Sequence, residues 1–146
     1  YTIQIPAETE YEKLVEIWEA SVIATHHFLT EDDIQFFKKL ILENNYLNHV
    51  DLYCICNEEN VILGFSGISG NKLEMLFLDP TVRGLGLGKL LLLHAIDHHA
   101  TEVDVNEQNS GAVEFYKHFG FETISRSPLD GTGKPFPILH MTLSRP

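Results

Sequence analysis

The stretch that most constrains this chain is Arg83-Gly84-Leu85-Gly86-Leu87-Gly88-Lys89. The apolar run Leu73 to Leu78 and then Asp79-Pro80 precede it, and a second apolar run, Leu90 to Ile96, follows. That order predicts strand, turn, glycine loop and helix, and so an α/β arrangement. Glycines have no Cβ, so backbone N–H groups there can close on a bound group. A helix start adds free N–H donors and the positive end of a dipole, which together favour a phosphate. Arg83 and Lys89 place a cation at each end of the loop. The loop is expected to hold a pyrophosphate.

Two common glycine-loop templates do not fit. A dinucleotide loop needs Gly-x-Gly-x-x-Gly and an acidic residue about 20 positions on, at a strand end. Here the spacing is Gly-x-Gly-x-Gly and no such acidic residue ends an obvious strand. A P-loop needs Gly-Lys followed by Ser or Thr, whereas Leu90 follows Lys89. Gly131-Thr132-Gly133-Lys134 echoes that motif, but Pro135 comes next, so the stretch reads as a hairpin loop.

At 146 residues the chain has the length of one domain, 1–146, able to bury a core. A net charge of −11 argues against nucleic acid, whose backbone demands clustered Lys and Arg, and suits a cationic partner. No apolar run is long enough to span a bilayer and no basic-plus-apolar leader opens the sequence, so no membrane association is expected. Two cysteines, Cys54 and Cys56, are too few for a disulfide scaffold. A reduced, cytoplasmic protein is expected.

Along the chain, Tyr1 to Ile5 alternates as a strand does. Thr9 and Glu12 have the spacing of a capping box. Tyr11, Leu14, Val15, Trp18 and Val22 then share one helical face. Thr25-His26-His27-Phe28-Leu29 breaks that helix, and Thr30 with Asp33 caps a second one running to about Glu43. Strands are predicted at Val50–Cys56, Val61–Ile68, Lys72–Leu78, Glu102–Val105, Phe121–Ser125 and Pro137–Leu143. The helix after the glycine loop, Gly88 to Ala100, is apolar almost all round, as one buried against a sheet would be. Asn109 caps a further helix with an apolar face of Ala112, Phe115, Tyr116 and Phe119, and Gly120 sits at its left-handed C′ position.

In two motifs the chain resembles the GNAT superfamily of acyl-CoA-dependent N-acetyltransferases. Arg83-Gly84-Leu85-Gly86-Leu87-Gly88 matches its loop signature, Arg/Gln-x-x-Gly-x-Gly/Ala after a strand. Asn109, Ala112, Phe115, Tyr116, Gly120 and Phe121 match its second signature, Asn-x-x-Ala-x-x-Phe-Tyr-x-x-x-Gly-Phe. The resemblance is to the small, stand-alone bacterial type and is close over Leu73 to Phe121. It implies an α/β (α+β) fold, with a mixed, mostly antiparallel sheet of about seven strands flanked by about four helices.

It further implies that the pyrophosphate belongs to acetyl-CoA, the acetyl donor. The pantetheine arm would lie along the backbone of Leu76, Phe77 and Leu78, and Arg83 through Lys89 (Gly84, Leu85, Gly86, Leu87, Gly88) would take the pyrophosphate. Asn109 would reach the arm from the far side, a role compatible with capping. The reaction implied is direct attack of a primary amine, from a small molecule or a peptide, on the thioester in a ternary complex. A homodimer is compatible with this reading. A non-catalytic coenzyme-A-binding sensor is the alternative.

Tyr116 occupies the family's general-acid position, although its place on the apolar face also suits a core residue. An alkylamine has a pKa of about 10 and must lose a proton before attack. Glu74 is the candidate base, because alternation places it beside Leu76 and Leu78, opposite Leu73, Met75 and Phe77, where desolvation would tune a carboxylate. His26 and His27, with Phe28, lie in the helix break and are candidates for the acceptor side or for the base. His94, His98, His99 and His118 read as surface histidines, and no metal is expected. Cys54 and Cys56 point the same way along one strand and read as core.

Overall fold

Seven of the apolar and alternating runs become strands of one sheet in the computed structural model, which describes residues 1–144. The spatial order is β1 (Thr2–Gln4), β2 (Asp51–Cys56), β3 (Ile62–Ser69), β4 (Lys72–Leu78), β5 (Glu102–Asn106), β7 (Ile138–Leu143) and β6 (Phe121–Ser127). Every neighbouring pair is antiparallel except β4 and β5, which run parallel. Four α-helices complete the fold: α1 (Tyr11–Thr25), α2 (Glu31–Glu43), α3 (Leu87–Asp97) and α4 (Ser110–His118). This is the mixed, mostly antiparallel α/β fold expected.

The helices divide between the two faces of the sheet. On one face Leu14, Trp18 and Ile34 of α1 and α2 pack with Cys54, Phe65 and Met75. On the other, Leu92 and Ala95 of α3 and Val113 and Tyr116 of α4 pack with Val103, Val105 and Met141. Four residues of α3 are buried, but Leu90 and Leu93 are exposed, so that helix shows solvent a flank despite its apolar sequence. Cys54 and Cys56 lie side by side in the core with sulfurs 3.8 Å apart. Burial, and then the neighbouring Cys56, push the Cys54 thiol up to about 12, which makes it a poor nucleophile.

Thr30 caps α2 as expected. Its hydroxyl accepts from Asp33 N–H at 3.1 Å, and the Asp33 carboxylate accepts from Thr30 N–H at 3.0 Å. At α1 the expected Thr9–Glu12 box is not used. A 3-10 turn at Glu8–Glu10 precedes the helix, and the Glu10 carboxylate accepts from Ala7 N–H at 2.8 Å. Asn45 takes a left-handed conformation (φ 49°) after α2 and starts another 3-10 turn, Tyr46–His49.

Two irregularities in β4 position the site. Its pairing with β5 covers only Lys72↔Glu102 and Leu73↔Val103, after which the strands part into a fork. Opposite Glu74 the β3 register shifts, so that Gly67 pairs with Met75 but Ile68 with Leu73. Glu74 is the extra residue of a β-bulge, and the bulge rotates the strand. Leu73 therefore joins the α3/α4 cluster and Met75 the α1/α2 cluster, although strict alternation puts them on one face.

Candidate active site

The fork opens into a cleft of about 280 Å³. Leu76, Phe77 and Leu78 form one wall, and Asn109, Ala112, Phe115 and Tyr116 of the α4 region form the other. Arg83 and Gly88 stand at one end, and Ser21, Thr25, His26 and Gly111 complete the lining. Residues 76–78 pair with β3 on one side only, so their other edge faces the fork with unpaired strand groups. A larger hollow of about 610 Å³, between α1 and α2, shares no residue with this cleft.

The glycine loop has the geometry an anion needs. Gly84 and Gly86 adopt left-handed conformations, φ 84° and 82°, and nothing lies within 4 Å of where a Cβ would be at either. Gly86 is the N-cap of α3 and, among the described residues, no side chain caps that helix, so the first-turn N–H groups are left for a ligand. Arg83 and Lys89 are exposed, and among the described residues neither forms an ion pair. Leu85 is exposed, whereas Leu87 is fully buried. Gly88 lies against Leu78 and Phe115, where a Cβ would make ordinary contacts at 3.6 Å.

Tyr116 is buried, and burial raises its phenol well above the usual range, so it remains a proton donor across neutral pH. The Asn109 carboxamide oxygen accepts from Ala112 N–H at 3.3 Å, which confirms the cap while the residue also lines the cleft. His26 is lowered to about 4, first by burial and then by the nearby His27. Its Nδ1 lies 2.7 Å from the Thr25 hydroxyl, which donates to the Ser21 carbonyl at 2.8 Å. The unfolded chain takes up this proton near the ordinary pKa of 6.5, before the folded chain does. The stabilisation from a neutral His26 is thus complete above that pH and is lost as pH falls toward about 4. A His26→Gln variant should show a smaller drop in urea midpoint between pH 7 and pH 4.5 than the parent; equal drops exclude this assignment.

His27 and Phe28 are not in the cleft. They line an adjoining hollow of about 630 Å³ with Arg83 and Asn109. The Phe28 ring packs on His26 at 5.4 Å and on Phe136 at 5.7 Å, which brings the β6–β7 loop to the helix break. Lys134 of that loop pairs with Asp33 at 3.3 Å and lies over the Phe36 ring. Asp130 accepts from Thr132 and Lys134 N–H groups, so the stretch is the hairpin loop expected.

Glu74 requires a correction. The bulge turns it away from Leu76 and Leu78 and into a pocket of about 360 Å³ with Trp18, Phe37, Tyr46, Met75 and Phe77. Its carboxylate is exposed and accepts from the Tyr46 hydroxyl at 3.1 Å, so desolvation among apolar neighbours does not apply. Phe77 lines both this pocket and the cleft.

The histidines of α3 need a smaller one. His98 and His99 are exposed, but His94 stacks on His98 at 4.1 Å and on Tyr53 at 4.6 Å. Its Nδ1 is enclosed with no partner among the described residues, and burial lowers its pKa. Among the described residues no three His, Cys, Asp or Glu gather as a metal site, and no helix is long and apolar enough to cross a membrane. Ser21, Thr25, Phe115 and Phe136 were not distinguished as site residues by sequence. Only Phe115, inside the second motif, carried a signal that could have found it.

The site is thus a parallel pair of strands that part beside a glycine loop, with a buried tyrosine across the gap. The chain belongs to the GNAT acetyltransferase family, whose domain model matches residues 25–143, and it is an N-acetyltransferase. It is 42% identical over 134 residues to the peptidyl-lysine N-acetyltransferase YjaB of Escherichia coli (strain K12), covering 90% of this chain and 89% of that one. The solution structure of apo YjaB from E. coli superposes with a TM-score of 0.89 at 38% identity, over 99% of this chain and 98% of the other. The PaiA N-acetyltransferase of Thermoplasma acidophilum in complex with coenzyme A shares the fold, with a TM-score of 0.75 at 21% identity over 98% of each chain.

Proposed function

We propose that this N-acetyltransferase takes its acetyl group from acetyl-CoA and delivers it to the side-chain amine of a lysine in a peptide, by direct attack in a ternary complex. The observation that carries the reading is the fork. It offers an unpaired strand edge at Leu76–Leu78 that leads to an uncapped helix N-terminus at Gly86. The amides of an extended thioester arm can pair with the first, and a pyrophosphate suits the second. In this reading Arg83 through Lys89 hold the pyrophosphate and Asn109 faces the arm.

Tyr116 then protonates the leaving thiolate, a role suited to a phenol kept neutral by burial. The acceptor enters between the helix break, at His26 and Phe28, and the loop carrying Phe136. Glu74, at the fork's apex and open to solvent, draws the acceptor ammonium rather than being a desolvated base. Peptidyl-lysine acetylation by the E. coli relative supports this acceptor class, as does a net charge of −11.

The test is acetyl-CoA turnover over lysine peptides and small amines, read by mass spectrometry. Acetylation of the lysine Nζ is expected. Coenzyme binding without transfer to any amine would instead favour a sensor.

A further inference from the structure

Glu74 is exposed rather than desolvated, so deprotonation of the acceptor calls for a further group. Three other side chains do offer it, from three adjacent strands of the sheet. His140 Nδ1 lies 2.7 Å from Asp104 Oδ1, and His140 Nε2 lies 2.7 Å from Ser127 Oγ. Their face follows from their neighbours. Val103, Val105, Leu139 and Met141 pack into the α3/α4 cluster, so Asp104 and His140, which alternate with them, face the opposite side. That is the side of α1, α2 and Glu74, on which the acceptor enters. Asp104 is the first β5 residue beyond the last β4–β5 pair, and His140 is its cross-strand partner on β7.

We propose that Ser127–His140–Asp104 is the proton-accepting file of the transfer reaction; this rests on the reading of acetyl transfer to a lysine amine. With Nδ1–H donated to Asp104, the neutral imidazole accepts the Ser127 hydroxyl proton at Nε2, so the tautomer is fixed. Lys72 also pairs with Asp104, at 2.5 Å. Burial alone would raise the Asp104 carboxyl, but the hydrogen bonds from Lys72 and His140 outweigh it and hold the group below its usual range. Asp104 therefore stays charged and stabilises an imidazolium. The other charges about the file are Glu74 and Glu102, which act on Lys72, and the Arg126–Glu107 pair, which is self-contained.

The protons balance. The acceptor ammonium gives one proton to Ser127 Oγ as the hydroxyl proton moves to His140 Nε2, leaving a neutral amine and an imidazolium. The amine nitrogen bonds to the thioester carbonyl carbon, the C–S bond breaks, and the thiolate takes the Tyr116 proton. The new amide nitrogen sheds its extra proton to the tyrosinate, and His140 releases its own to solvent.

The test uses two acceptors, a lysine peptide and an arylamine that is already neutral at pH 7. His140→Gln should lower kcat/KM for the peptide about 10²-fold at pH 7, with the deficit shrinking as pH approaches the lysine pKa of about 10. The arylamine rate should hold within about twofold. Ser127→Ala should reproduce the pattern more weakly. If His140→Gln slows both acceptors equally, or leaves the peptide pH profile superimposable on the parent's, the file is structural and the proposal fails. If the parent protein acetylates neither amine, the transfer reading itself fails and takes this proposal with it.

Discussion

A Gly86→Glu variant is expected to lose coenzyme A binding altogether while remaining folded. Gly86 has φ 82° and open space around its Cβ direction, so the substitution costs about 1–2 kcal/mol of left-handed backbone strain without a clash. The new carboxylate stands where the α3 N-terminus and the Arg83 and Lys89 cations are arranged for an anion. It occupies those donors and repels a pyrophosphate. Calorimetric titration should show no heat of binding, and a melting curve should confirm the fold. Gly86→Ala is the companion measurement, because it carries the same strain without the charge. If Gly86→Glu binds coenzyme A as tightly as the parent, the loop is not the pyrophosphate site.

Tyr116→Phe should lower kcat by about 10²-fold with little change in the KM for acetyl-CoA, the signature of an interaction made only in the transition state. The ring is buried beside Phe121 and Phe115, at 5.7 and 5.2 Å, and phenylalanine keeps both contacts, so stability should hardly move. Burial keeps the hydroxyl protonated well past neutrality, so any limb of the pH–rate profile near pH 7 belongs to another group. Full activity in Tyr116→Phe would make the tyrosine a core residue and nothing more.

Features governed by a few adjacent residues were legible in the sequence. The Thr30–Asp33 cap, the span Lys72–Leu78 and the left-handed Gly120 (φ 97°) all appear where local rules put them. The two motifs fall at the glycine loop before α3 and on α4, where their spacing puts them. What escaped depended on partners distant in the chain. The face of Glu74 was misjudged because alternation assumes unbroken pairing, and the bulge is a register shift against Gly67 and Ile68. The Asp104–His140–Ser127 file was invisible because β7 inserts between β5 and β6 and makes neighbours of residues with no common motif. Phe136 was missed likewise, since only the fold brings its loop against Phe28. Thr9 and Glu12 had the right spacing, but Glu10 was already bound to Ala7.

The short pairing of β4 with β5 also bears on mechanics. Among the described residues, two residue pairs are the only ladder holding the β1–β4 half-sheet to the β5–β7–β6 half-sheet. Each half carries much of its own packed helical layer, α1 and α2 on one and α4 on the other, with α3 bridging toward both. Such a seam is the natural place for the molecule to breathe. Under the proposed function, a donor lying in the gap would act as an eighth strand of foreign chemistry, stitching the halves across the length that the polypeptide leaves open. Donor binding and the resistance of the two halves to separation become one thermodynamic quantity, so amide exchange along Leu76–Leu78 and Val105 should slow together when acetyl-CoA is added.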